Sequence, residues 1–238
     1  MPHHWDEVAE LRKQQIESGL DLTFSKVFVP FFVHNLSQSP VRSILEVGCG
    51  TGHLAVALSS MTDSYVALEP SPGMYRVASE VLAGSKVEMH NSTVESFPKS
   101  GGFDLVLSHM CAQVVTDLDG FLRAVSGQLS GAGRFLISLP HPLFYNDYKK
   151  FFEPEDFQYT EELSKKVSFS ITLDPDRVID SVPYHHRPLT RYVSSLVAAG
   201  LCVTLFEEVY PDSRVQALYG TAWANPRYLV LGGRRVSP

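Results

Sequence analysis

Three glycines stand on alternate positions in "ILEVGCGTGHLAVAL" (Ile44–Leu58): Gly48, Gly50 and Gly52. They follow an apolar run that contains one acid, Glu46. A bare turn between a strand and a helix lets backbone N–H groups come close to a ligand at the helix N-terminus. Dinucleotide enzymes use such a turn on a pyrophosphate, with the spacing GxGxxG. Here the spacing is GxGxG. A carboxylate at Glu46 would repel a pyrophosphate and suits a cation, such as an ammonium or a sulfonium; the competing reading is a solvated or salt-bridged strand-end acid. Glu69 ends the next apolar run, "SYVALEP", about 20 residues after the turn, where an acid accepts hydrogen bonds from ribose hydroxyls. A ligand with a ribose and a positive charge, but no pyrophosphate, meets both demands.

Histidine is the natural proton acceptor near neutral pH. The chain has nine, and three fall at strand ends or cap edges expected to face a pocket: His109, His141 and His186. His141 ranks first, because it follows the fifth strand at the carboxyl edge, where open parallel sheets bind ligands. His109 can pack against a cofactor instead, and one of His185 and His186, which precede "RPL", orients the cap. For each, a structural hydrogen-bonded histidine is an equally strong reading. The three cysteines are isolated, with no metal-ligand spacing, so no metal site is expected.

The elements that must position these groups alternate. "WDEVAELRKQQIESG" and "SKVFVPFFVHNL" read as two helices, with Gly19 as a stop and Pro30 near a bend. "RSILEVG", "SYVALEP", "KVEMHN", "FDLVLSHM" and "GRFLISLP" read as five strands with helical segments between them. That rhythm implies right-handed crossovers and a mostly parallel sheet covered by helices on both faces. After Pro140 the pattern breaks into an aromatic-rich stretch. A period-two segment, "KKVSFSITL", and "RVIDSVPYHH" then form a hairpin, with turn chemistry at Asp174–Asp176. "PLTRYVSSLVAAG" is a helix. "LCVTLFEEV" and "RYLVLGG" close the sheet across a long connection, as an antiparallel edge. The expected divisions are a helical lid (1–40), a core (41–140), an inserted cap (141–187) and the rest of the core (188–238).

With "VALEP" after it, "ILEVGCGTGHLAVAL" resembles motif I and the acidic strand end of class I S-adenosylmethionine-dependent methyltransferases. "VEMHNSTVESFP", "FDLVLSHMCAQVV" and "LSGAGRFLISLPHPLF" resemble the third, fourth and fifth strand segments of that family in order, and "YHHRPLTRYVSSLVAAGL" a late helix of many small-molecule members. The resemblance implies a Rossmann-like, seven-stranded α/β fold, S-adenosylmethionine as cofactor and S-adenosylhomocysteine as product. It places Gly48, Gly50 and Gly52 under the methionine and ribose, Glu46 near the positive end, directly or through water, and Glu69 on the ribose. Pro70 and Met74 flank the adenine, Thr93 and Val94 meet its edge, and Ser108 and His109 end the fourth strand near the donor methyl. Many relatives carry Asp where this chain has Thr93, a weaker hydrogen-bonding partner.

The cap's rings, with Phe144, Tyr145 and Tyr148 foremost and His185 beside them, read either as an apolar or aromatic substrate pocket or as anchors of the cap. The reaction expected is methylation of a small molecule, on oxygen first, then nitrogen, then carbon. The alternatives are an RNA or protein methyltransferase, a nicotinamide-dependent oxidoreductase and a cofactor-binding protein without turnover. A formal net charge of −6 and the lack of a basic tract weigh against nucleic acid. No apolar run approaches the roughly 20 residues that span a bilayer, and the polar N-terminus does not read as a signal peptide, so the cytoplasm is the expected location. A monomer and a homodimer paired through the hairpin both remain open.

Overall fold

The computed structural model describes residues 4–99 and 101–236, so the first three residues of the expected lid lie outside the described residues. The chain groups into two units. One comprises Met1–Phe97, Ser168–Asp180 and Pro211–Ala222; the other comprises Pro98–Val167, Ser181–Tyr210 and Trp223–Pro238.

In the first unit, α1 (Ala9–Glu17) stops at Gly19, which takes a φ of +72°. The N–H of Gly19 returns to the Ile16 carbonyl and that of Leu20 to the Gln15 carbonyl, which satisfies the helix end. A π-helical turn, Thr23–Phe28, runs into α2 (Val29–Gln38). Pro30 sits in the first turn of α2, where its missing N–H removes a donor from the ladder, and the widened turn lies just before it. β1 (Ser43–Val47) is buried from Ile44 onward, the pattern of a strand covered on both faces. α3 (His53–Leu58) and β2 (Ser64–Leu68) follow. Ser71 caps α4 (Pro72–Val81), its Oγ accepting the Met74 N–H at 3.2 Å. Pro72 fits the first position because it carries no N–H where one would have no partner in the helix. β3 (Val87–His90) ends this run. β1 and β2 are parallel, with Ile44 opposite Tyr65 and Val47 opposite Leu68; β2 and β3 are parallel as well. Phe28, Phe32, Ile44, Leu45, Leu58, Tyr65 and Leu68 are fully buried; each such apolar side chain stabilises the fold by roughly 1.5–3 kcal/mol.

β4 (Phe103–His109), α5 (Leu118–Gln128) and β5 (Leu129–Pro140) build the second unit. Leu118, Phe121, Leu122 and Val125 give α5 a buried stripe at helical spacing. Asp117 starts it, its Oδ1 accepting the Gly120 N–H at 2.9 Å. The stretch after Pro140 contains a short helix, α6 (Tyr145–Lys149). β6 (Leu163–Ile171) and β7 (Asp174–His186) then form a two-stranded sheet of their own. Its turn falls at Thr172–Leu173, two residues before the expected Asp174–Asp176. Asp174 is drawn out of turn chemistry by its partners: its carboxylate accepts from Gln15 Nε2 at 2.8 Å and from Arg177 Nε at 2.9 Å. α7 (Leu189–Ala198), β8 (Leu201–Val209), α8 (Ser213–Leu218) and β9 (Tyr228–Arg235) complete the chain.

The main sheet has seven strands in the order β3-β2-β1-β4-β5-β9-β8. β4 and β5 are parallel, whereas β9 runs antiparallel to both β5 and β8. The expected antiparallel element is therefore present, one place in from the edge strand. α1 packs on α4, and α5 on α7. No helix among the described residues is long and apolar enough to cross a membrane.

Candidate active site

Gly48, Gly50 and Gly52 take φ values of +73°, +57° and +78°, a region open to glycine at little cost. The N–H groups of Gly48 and Cys49 both donate to the Leu68 carbonyl at 2.9 Å, which seats the turn on the end of β2. Two of the glycines are bare for different reasons. A Cβ on Gly52 would meet Leu82 Cδ1 at 2.9 Å and Ala78 Cβ at 3.2 Å, so the glycine packs closely on the α4 segment in a left-handed conformation. A Cβ on Gly50 would meet nothing within 4 Å, so its backbone faces open space.

Glu69 lies beside that opening. One carboxylate oxygen accepts the Gly50 N–H at 2.8 Å and the other the Ser71 N–H at 2.9 Å. Its backbone is pinned from β3: the Glu69 N–H donates to the His90 carbonyl at 3.0 Å, and Asn91 Nδ2 donates to the Glu69 carbonyl at 2.7 Å. Burial pushes the Glu69 carboxyl up to about 7, although the Ser71 and Gly50 N–H groups pull it down. Glu46 is buried in β1, and Tyr65 donates its hydroxyl to it at 2.7 Å. Burial lifts Glu46 to about 8 against that hydrogen bond, with the nearby Glu69 charge adding to the rise. No cationic side chain among the described residues pairs with either acid. The remaining cofactor candidates lie along the same strand ends. Pro70 is half-buried after β2, and Met74 is buried in the first turn of α4. Thr93 is exposed after β3, where its hydroxyl accepts the Ser96 N–H at 3.3 Å, and Val94 beside it is buried. Glu46, the glycine turn, Glu69, Pro70, Met74, Thr93 and Val94 thus gather at the carboxyl ends of three adjacent parallel strands. A bare backbone, a fixed carboxyl beside it and two buried acids with no cationic partner among the described residues fit a cationic nucleoside.

In the second unit, Ser108 is fully buried within β4. His109 ends that strand, half-buried, with Nδ1 2.7 Å from Ser138 Oγ. The same Oγ accepts the N–H of Met110, which holds a left-handed φ of +52°. Such a conformation costs a non-glycine residue about 1–3 kcal/mol and persists where neighbours over-determine it. His141 is buried with both ring nitrogens engaged: Nδ1 accepts the Leu143 N–H at 3.2 Å, and Nε2 donates to Glu208 at 3.0 Å. Burial holds its pKa below the ordinary value, more strongly than Glu208 raises it. His186 is buried too, Nε2 donating to the Tyr159 carbonyl at 3.0 Å, and burial likewise lowers its pKa.

The cap candidates pack largely on one another. Tyr145 is ringed by Tyr148, Phe151, Tyr184 and Tyr228, with centroids 5.7–6.4 Å away. Phe144 lies 4.6 Å from the His141 ring, and Tyr148 lies 3.8 Å from the Arg227 guanidinium. His185 donates its N–H to the Gln113 carbonyl at 2.8 Å, and its Nδ1 lies 2.7 Å from Ser164 Oγ.

Three residues outside the sequence-based set matter locally. Arg187 is buried and donates to the carbonyls of Ala112 (3.2 Å), Val115 (2.6 Å) and Thr116 (3.0 Å), clamping the loop after β4. Gln113, on that loop, is buried with an unpartnered Oε1, its Nε2 donating to the Met110 carbonyl. His53, at the start of α3, meets Thr51 Oγ1 at 2.9 Å through Nδ1. Among the described residues, no group of three or more His, Cys, Asp or Glu side chains could hold a metal ion.

Residues 44–133 match the family model of a methyltransferase domain. The ubiquinone biosynthesis O-methyltransferase of Azorhizobium caulinodans is 30% identical over 141 residues, 56% of each chain. The malonyl-(acyl-carrier protein) O-methyltransferase of Acetivibrio thermocellus is 27% identical over 132 residues, 55% of this chain and 43% of that one. The chain spans about half the length of the curated relatives it matches. A crystal structure of an S-adenosylmethionine-dependent methyltransferase from Clostridium acetobutylicum shares the fold at a TM-score of 0.69 and 15% identity, over 98% of this chain and 99% of that one. From the glycine turn and acid of the first strands to the shared topology, residues 44–133 carry a methyltransferase domain and the chain has the fold of S-adenosylmethionine-dependent methyltransferases.

Proposed function

We propose that this protein transfers a methyl group from S-adenosylmethionine to a small-molecule acceptor, on oxygen first, then nitrogen, then carbon, within the cytoplasm. The observation that carries this reading is the Glu69 carboxylate, held by the Gly50 and Ser71 N–H groups beside a backbone that faces open space. Glu46, a buried carboxyl with no cationic partner among the described residues, supports a cationic guest, which would favour its ionised form, over a pyrophosphate. When bound, S-adenosylmethionine supplies a methyl group already activated on a cationic sulfur. The protein's share is to align the acceptor in line with that bond, an effect worth up to roughly 7–11 kcal/mol in favourable cases.

A hydroxyl acceptor must lose a proton. Of the three histidine candidates, His109 is the one not fully buried, and it ends a strand at the carboxyl edge. We assign it the proton, with Ser138 orienting the ring; His141 and His186 hold backbone and cap through their own hydrogen bonds. Phe144, Tyr145, Tyr148 and His185 take the acceptor's apolar or aromatic part, residues 1–40 act as a lid and 141–187 as a cap. Two curated relatives carry O-methyltransferase in their names, which supports oxygen as the first acceptor atom.

The test uses S-adenosylmethionine labelled on its methyl group, incubated with purified protein and, separately, with small-metabolite, RNA and protein fractions. Label in the small-molecule fraction supports the reading. Label in RNA or protein replaces the substrate class. Tight binding with no transfer to any fraction leaves a cofactor-binding protein without turnover.

A further inference from the structure

Ser71 sits between two acids. Its N–H donates to Glu69 Oε1 at 2.9 Å, while its hydroxyl donates to Asp6 Oδ1 at 2.6 Å. The same Asp6 oxygen accepts the Gly73 N–H at 2.9 Å, so one carboxylate from the N-terminal segment occupies the free donors at the start of α4. Ser71 is fully buried. The fit admits no side chain: a Cβ on Gly73 would meet the Asp6 backbone at 2.6 Å. Two exposed ion pairs, Arg76 with Glu10 at 2.7 Å and Lys13 with Glu80 at 3.4 Å, also join α1 to α4, but solvent-exposed pairs contribute little. The tie that reaches a fully buried partner is Asp6.

We propose that Asp6 is a positioning residue for the cofactor site: it clamps Ser71 and the first turn of α4, and through Ser71 it holds the Glu69 carboxylate in place for the ribose. This rests on the assignment of S-adenosylmethionine to that site. Asp6 itself need touch no cofactor. The geometry gives the N-terminal segment a defined task, because leaving the latch frees the residue that fixes one of Glu69's two oxygens. Charge is transmitted along the same path. The groups facing Glu69 are Asp6 from the N-terminal segment, Glu46 from β1, and the neutral donors of Gly50 and Ser71; the Asp6 charge disfavours its ionised form, and the Glu69 charge in turn raises Glu46.

The experiment is calorimetric binding of S-adenosylhomocysteine across neutral pH, for the wild-type protein and for Asp6→Ala, Asp6→Asn and Gly73→Ala. Asp6→Ala and Gly73→Ala should each weaken binding roughly tenfold, the scale of a lost charged hydrogen bond. Gly73→Ala guards against misfolding, since alanine favours a helix and the variant displaces Asp6 while both the Asp6 and Ser71 side chains are retained. Asp6→Asn keeps an acceptor oxygen but drops the charge. It should regain most of the affinity and shift the acid-side loss of binding to lower pH, a displacement that a purely structural role would not produce. Folded variants with wild-type affinity and an unmoved pH profile overturn the proposal. A wild-type protein that does not bind S-adenosylhomocysteine overturns the cofactor assignment and the latch together, an outcome distinct from failure of the variants alone.

Discussion

The Glu69 carboxylate reaches back across nineteen residues to accept the Gly50 N–H at 2.8 Å. One hydrogen bond joins the acid at the end of β2 to the turn that follows β1, so the two sit side by side as one unit. Replacing Glu69 with Ala should weaken S-adenosylhomocysteine binding by about 1.5–3 kcal/mol, the worth of hydrogen bonds to a charged group. Titration calorimetry reads this directly; unchanged affinity would remove Glu69 from the site.

Acidity at the two buried carboxyls predicts how the ligand-free protein responds to pH. Glu46 and Glu69 rise from an ordinary 4.5 to about 8 and about 7. Their folded-state values exceed the unfolded ones, so the stability they contribute is fully present below 4.5 and is lost as pH rises through 7 and then 8. Between those limits the unfolded chain has released protons that the folded chain still holds. Thermal melts across this window should show a declining midpoint. Glu46→Gln, which can still accept from Tyr65, should flatten the decline and gain most at the alkaline end. A midpoint that climbs steadily over the same interval would contradict the assignment.

Arg187 tests the loop after β4. Arg187→Met leaves the carbonyls of Ala112, Val115 and Thr116 without their donor. An unmet buried acceptor at Ala112, with partly buried ones at Val115 and Thr116, should cost on the order of 3 kcal/mol in urea unfolding. Arg187→Lys should recover only part, because an ammonium lacks the planar fork that serves several carbonyls at once.

The histidines separate by readout. His109→Ala should lower turnover by about 10²–10⁴-fold, the usual worth of a proton acceptor, with S-adenosylhomocysteine affinity near wild type. His141→Ala should act first on the melting temperature, since it removes the partners of Leu143 and Glu208. If His141→Ala abolishes turnover in a protein of unaltered stability, the two roles exchange.

What was legible in the sequence was local. The run from Ile44 to Leu58 reveals a strand, a bare turn and a helix because apolar spacing and glycine act over a few residues, and Glu69 follows at a fixed distance. The turn of the β6–β7 hairpin was misplaced by two residues because the partners that claim Asp174 include Gln15, 159 positions away. Asp6 and Arg187 carry no local signal for the same reason. Their partners lie 65–67 and 71–75 residues distant, and spacing patterns do not reach that far. The ranking of His141 followed its place after β5, but Glu208, which occupies its Nε2, comes 67 residues later.

Glu46 has a consequence for the end of the catalytic cycle. In the proposed reaction the donor arrives as a cation and departs, one methyl group smaller, as a neutral thioether. An acid with no cationic partner among the described residues attracts the first and is indifferent to the second. The preference therefore grows as Glu46 ionises and fades as it takes up a proton. Inhibition by accumulated product should be weakest on the alkaline side of neutrality, so the same buried proton that governs stability also sets how readily the spent cofactor is exchanged.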